Sequence, residues 1–145
     1  MTSPLSQFWA ECLYQWGKIH RYFGVTHGVT REFARAEYYF GRAFALNPQH
    51  QQARLDRAIM LGRELGQPKQ ALQELDELAT SFTAKHLEVI LNRAQLRQEV
   101  GDYAGALSDW ENYLKTADQD DSYRPLAQIT AEHLKELLQD NNNLS

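Results

Sequence analysis

The stretch Val100-Gly101-Asp102-Tyr103-Ala104-Gly105-Ala106-Leu107-Ser108-Asp109-Trp110-Glu111-Asn112-Tyr113-Leu114 decides the fold. A glycine followed by an aspartate reads as the end of one helix and the start of the next. Glycine accepts the left-handed backbone that closes a helix, and the carboxylate satisfies free N–H groups in the first turn. Beyond it, Ala106, Trp110 and Tyr113 fall at i, i+4 and i+7, one face of a 3.6-residue period. Shifted back 35 residues, the stretch recurs as Leu65-Gly66-Gln67-Pro68 followed by Ala71, Leu75 and Leu78. Another shift of 35 returns Ala36, Phe40 and Ala43. A small residue at the first site lets two helices of a hairpin approach closely, and the bulky one a turn later fills the gap to the next hairpin. A fixed period of this length marks stacked helical hairpins.

The chain in order supports this. Ser3 and Pro4 suit a cap and first turn, and Leu5, Phe8, Trp9, Cys12, Trp16, Ile19 and Phe23 trace a helical stripe. That stripe is expected to bury against a second helix over about 31–46, which ends at Asn47-Pro48. The first helix is expected to end near Phe23-Gly24, leaving 25–30 as an extended loop. Further helices are expected over about 50–65, from Pro68 through Ala79, over about 84–100 with Thr83 as its cap, and after Asp102. Asp118-Gln119-Asp120-Asp121 reads as an acidic loop, and Ser122 as the cap of a last helix with the stripe Leu126, Ile129, Leu134, Leu137 and Leu138. A repeat array needs its terminal core face covered, so that helix is expected to be a cap. Residues 141–145 are expected to be disordered. The fold class is all-α.

The pattern resembles the tetratricopeptide (TPR) repeat family. The residues that carry the likeness are Asn92-Arg93-Ala94, Gly101-Asp102-Tyr103, Ala106 and Trp110 in the third repeat. Gly66 and Ala71 carry it in the second, and Ala36, Phe40, Ala43 and Asn47-Pro48 in the first. The period is 35 where the family runs about 34, and Arg31 stands where the first repeat should have its turn glycine. The resemblance implies a right-handed superhelical stack of three hairpins, over about 4–48, 50–81 and 84–117, plus a C-terminal capping helix at about 122–139, in a single domain over 1–140.

Composition narrows the function. No run approaches the ~20 apolar residues that cross a bilayer, and Met1-Thr2-Ser3-Pro4 lacks the basic and apolar parts of a secretory leader. The expected address is the cytoplasm or an organelle stroma. The single cysteine, Cys12, rules out an internal disulfide and cannot build a structural zinc site. It lies in the first stripe and is expected to be buried and unreactive. Five histidines, at 20, 27, 50, 86 and 133, show no i, i+4 pair. His20 and His133 sit on apolar faces and read as core histidines. Gly24 to Gly28 lacks the Lys and Ser/Thr of a phosphate loop. Counted from Asp118, the glycine and carboxylate of a calcium loop would be Tyr123 and Ile129. No cofactor, metal or catalytic constellation emerges, and the chain reads as a non-enzyme. Residues 1–63 carry eight Lys/Arg against four Asp/Glu, and residues 64–145 carry seven against fifteen. The overall acidity, with no basic stripe of interleaved aromatics, argues against nucleic acid.

Two function classes fit. In the resembled family the first helix of each hairpin lines a concave groove that docks a peptide or a partner helix. Placed on this chain, that face is Lys18 and Arg21, then Asp56, Arg57, Met60 and Arg63, then Leu91, Asn92, Gln95 and Glu99. The carboxylate clamp that some members use on acidic chaperone tails would need Asp56, Met60, Asn92, Tyr123 and Ala127. Only Asn92 matches, which argues against such a partner. The first class is therefore an adaptor or assembly factor with a protein or peptide partner. The alternative is a structural, self-associating subunit that forms a homo-oligomer through exposed aromatics such as Trp9, Tyr38 and Tyr39, or through its oppositely charged ends.

Overall fold

The computed structural model describes residues 2–81 and 87–143. Among these residues the chain is seven helices with no strand: α1 (Pro4–His27), α2 (Thr30–Leu46), α3 (Gln51–Arg63), α4 (Pro68–Ser81), α5 (Leu87–Glu99), α6 (Tyr103–Thr116) and α7 (Arg124–Asn143). They group into two compact units, residues 1–78 and residues 79–145, with the division inside α4.

The repeating triplet is the core of both units. Ala36, Phe40 and Ala43 in α2, Ala71, Leu75 and Leu78 in α4, and Ala106, Trp110 and Tyr113 in α6 are all buried. Local chemistry sets the helix ends as the sequence indicates. The Ser3 hydroxyl accepts from Ser6 N at 3.1 Å ahead of Pro4, and the Asp102 carboxylate accepts from Gly105 N at 3.0 Å. Gly66 and Gly101 close α3 and α5 with φ of +62° and +85°.

The first hairpin departs from expectation in two ways. Helix α1 does not stop near Phe23-Gly24; it runs a turn further to His27 and ends on Gly28, whose φ is +64°. No extended loop intervenes before Thr30. The turn glycine is therefore present, three positions ahead of the place the 35-residue period assigns to it. The second difference is which face turns inward. The buried residues of α1 are Ala10, Gly17 and Gly24, spaced by seven, and not the large apolar stripe. A Cβ on Gly17 would lie 2.6 Å from the Phe40 ring, and one on Gly24 would lie 2.6 Å from the Phe33 ring. The α2 rings thus sit directly on the α1 backbone. Burying Phe40 completely contributes about 2–3 kcal/mol. The stripe faces outward: Leu5 is 66% exposed, Phe8 59%, Trp9 and Trp16 53%, Phe23 44% and Ile19 43%. Cys12 is half-buried, not enclosed.

Phe40 and Ala36 close over Met60 of α3, with Tyr14 and Phe33 at the margin. Arginines then tie α2, α3 and α4 together. Arg57 donates to Glu37 Oε1 and to Glu74 Oε1 at 2.6 Å each, and Arg54 donates to Glu74 Oε2 at 2.7 Å and to Glu77.

In the second unit α6 is the central element. Ile90 and Ala94 of α5 cover one side, and Ala127, Ala131 and Leu134 of α7 belong to the same core. The α7 stripe is only partly as expected, because Leu126 and Ile129 are exposed while the alanines turn inward. His133 is exposed as well, and not a core histidine. Asp121, rather than Ser122, organises the start of α7: its Oδ1 accepts from the Tyr113 hydroxyl at 2.6 Å and from Tyr123 N at 2.9 Å. Arg124 Nη1 donates to the carbonyls of Leu114 and Ala117 at 2.9 Å each, closing the end of α6. Helix α7 continues through residues 141–143, and the last two residues of the expected tail lie outside the described residues. Thr83 and the expected start of the fifth helix at 84 lie outside the described residues.

Candidate protein interaction surface

The polar positions assigned to the first helices divide by what already occupies them. Lys18 is exposed, its Nζ 5.6 Å from the centroid of the Tyr14 ring. Arg21, about one-third exposed, reaches to 3.8 Å from Asp56 Oδ1. Asp56 itself is buried. It accepts from the Tyr14 hydroxyl at 2.8 Å and from Gln52 Nε2 at 3.4 Å, so it fastens α3 to α1. His50 helps at the same junction. Its Nδ1 accepts from Ala53 N at the start of α3, which leaves Nε2 protonated to donate to Glu11 at 3.2 Å.

Arg57 is consumed by Glu37 and Glu74, and Met60 is wholly buried, so neither presents a contact surface. Asn92 of α5 is buried too, its Nδ2 donating to the Glu88 carbonyl at 2.7 Å. Leu91 is half-buried against the second unit's core. Arg63, Gln95 and Glu99 reach the surface, Gln95 only in part. The reachable set is therefore Lys18, Arg21 and Arg63 in the first unit and Gln95 and Glu99 in the second.

Charge–charge ties absent from the sequence reading carry much of the polar structure. Asp109, 3% exposed, receives Arg93 Nε at 2.9 Å and Nη2 at 2.5 Å, and Arg97 Nη1 at 3.0 Å. Glu32 of α2 accepts from His20 Nδ1 at 2.6 Å and from Arg35 at 2.9 Å, while the His20 ring stacks on Tyr39. A signal for one of these was present: Glu74 and Asp109 are themselves 35 residues apart, each three positions after the repeat alanine.

Perturbed ionisations follow the same ties. The hydrogen bond from His20 holds the Glu32 carboxyl below its ordinary range, with Arg35 adding to it. The Arg54 hydrogen bond does the same for Glu77, and that from Lys135 does so for Glu111. Burial, reinforced by the bond to Asp121, pushes the Tyr113 phenol up to about 12. Each of these groups fastens one helix or loop to another, which gives the shift a structural cause.

This arrangement can be compared with known proteins. No family model matches the chain, and no curated protein matches it in sequence. Solved structures do match. The TPR domain of Arabidopsis OM64 superposes with a TM-score of 0.71 at 18% identity, covering 90% of this chain and 98% of that one. The Sgt2 TPR domain from Aspergillus fumigatus gives 0.70 at 20% identity, covering 97% of this chain and 83% of that one. The chain has the TPR fold. At this level of identity the likeness speaks for the fold, and one fold hosts many functions. No described helix is long and apolar enough to cross a membrane.

Proposed function

We propose that this chain is a non-enzymatic adaptor or assembly factor that holds a peptide or helix of a larger complex on the first-helix faces of its hairpins. The observation that supports this most directly is Lys18 beside Arg21 on α1. Lys18 is exposed and Arg21 is about one-third exposed a turn further on, reaching also towards Asp56, on a helix whose inward positions are Ala10, Gly17 and Gly24. The two cations favour an acidic stretch of partner, since opposite charges across an interface steer encounter and fix register. By exposure the proposed contacts are Lys18, Arg21 and Arg63 in the first unit and Gln95 and Glu99 in the second; Asp56, Met60 and Asn92 are buried, Arg57 is held by Glu37 and Glu74, and Leu91 packs against its unit's core.

Affinity capture from native extract, comparing wild type with a Lys18→Glu/Glu99→Lys double variant by mass spectrometry, tests the reading. Both side chains are exposed, so the variant is expected to fold. A partner held by the wild type and lost by the variant is expected. An unchanged set of partners would move the interface off these faces.

A further inference from the structure

The outward stripe of α1 has a register. Leu5, Trp9, Cys12, Trp16, Ile19 and Phe23 are spaced 4, 3, 4, 3 and 4 residues apart, the seam of a helix that packs against another helix with a period of 3.5. Among the described residues of the first unit it is left largely exposed, with only Cys12 half-buried, since the inward positions of α1 are Ala10, Gly17 and Gly24. The spacing also reads the same in reverse. We propose that this chain forms a two-fold dimer in which the α1 stripes of two copies pack antiparallel on one another.

Size complementarity argues for a second copy and for that direction. Reversal pairs Leu5 with Phe23 of the other copy, Trp9 with Ile19, and Cys12 with Trp16. Each layer then holds one aromatic and one smaller side chain, so the layers have similar widths. A parallel pairing would stack Trp9 on Trp9 and Trp16 on Trp16 while leaving Cys12 on Cys12, which alternates thick and thin layers and packs poorly. A self-complementary patch that meets its own copy is the condition for a closed two-fold contact. The positions flanking the seam, Ser6, Leu13 and His20 on one side and Phe8, Gln15 and Tyr22 on the other, hold no Asp, Glu, Lys or Arg. No like charges are therefore forced together.

The area suffices. At roughly 200 Å² for a large side chain, the exposed fractions of Leu5, Phe8, Trp9, Trp16, Ile19 and Phe23 offer about 600 Å² per copy. Two copies that cover it fully bury about 1,200 Å², at the lower edge of the range of roughly 1,200–2,000 Å² for stable interfaces. A membrane surface would also accept aromatics, but it imposes no 3.5-residue register, and the reversal symmetry would then serve no purpose.

The proposal is independent of the peptide contact on the opposite side of α1. Light scattering of the full chain over a concentration series is expected to show twice the 16.8 kDa chain mass, persisting at high salt because the seam is uncharged. Trp16→Glu, at an exposed position, is expected to give a folded chain at the single-copy mass. Orientation is read in a Cys12→Ser background. Trp9→Cys mixed with Ile19→Cys is expected to cross-link as a heterodimer on mild oxidation, whereas Trp9→Cys alone is not. A wild type of single-copy mass at every concentration overturns the proposal, as does a dimer that survives Trp16→Glu or a mass that climbs beyond two copies. Flotation of a single-copy protein with anionic phospholipid vesicles would assign the stripe to a membrane surface instead and likewise overturn it.

Discussion

Gly17→Ala is the change that most directly probes how the first hairpin is built. In an isolated helix it would stabilise, by about 0.8–1 kcal/mol, because alanine is the better helix former. Here the added methyl would meet the Phe40 Cδ1 and Cε1 atoms at 2.6 Å, well inside contact distance. Phe40 cannot swing aside cheaply, since it is fully buried with Ala36 and Met60 and lies 5.6 Å from the Tyr14 ring. Overpacking of this kind costs about 1–3 kcal/mol, so the gain is cancelled and the net effect runs from about zero to a loss of about 2 kcal/mol. Urea titration followed by circular dichroism measures it. The companion experiment repeats the substitution in a Phe40→Leu background, where the shorter side chain leaves room for the methyl. There the helix-propensity gain is expected to dominate, and Gly17→Ala should become neutral or stabilising. The difference between the backgrounds is the coupling between the two sites. A gain near 1 kcal/mol in the wild-type background would refute the close approach of α1 to α2, and with it the outward orientation of the stripe.

Two further outcomes follow from the second unit. Asp109→Asn removes the charge that holds Arg93 and Arg97 at a position 3% exposed, and is expected to cost about 3 kcal/mol in urea with little dependence on salt. A loss below about 1 kcal/mol would show that the guanidinium groups find other acceptors. Tyr113 keeps its proton up to about 12, whereas an unfolded phenol ionises near 10. Its raised value therefore leaves stability intact below pH ~10 and lowers it as pH climbs to ~12, by about 3 kcal/mol in all. Stability measured across that window should fall less steeply in Tyr113→Phe, and an unchanged slope would remove Tyr113 as the cause.

The sequence by itself determined the repeat. Ala36, Ala71 and Ala106 with their bulky partners are buried as the 35-residue register requires. The caps at Ser3 and Asp102 and the start of α4 at Pro68 could also be read, because each depends on a few neighbouring residues. What the tertiary structure alone decided is which side of α1 faces its partner. Hydrophobic periodicity shows that a helix has an apolar face, but it registers side-chain mass and not what lies opposite. The face that packs on α2 is defined by missing mass, at Gly17 and Gly24, where the rings of Phe40 and Phe33 take the space. The same blindness applied to the polar positions. Asp56 and Arg57 have the composition of a contact surface, yet only the packed helices bring Tyr14, Glu37 and Glu74 within reach and turn them into internal ties. A period is a property of one helix about its own axis. Burial is a relation between two helices, fixed by the shapes that meet.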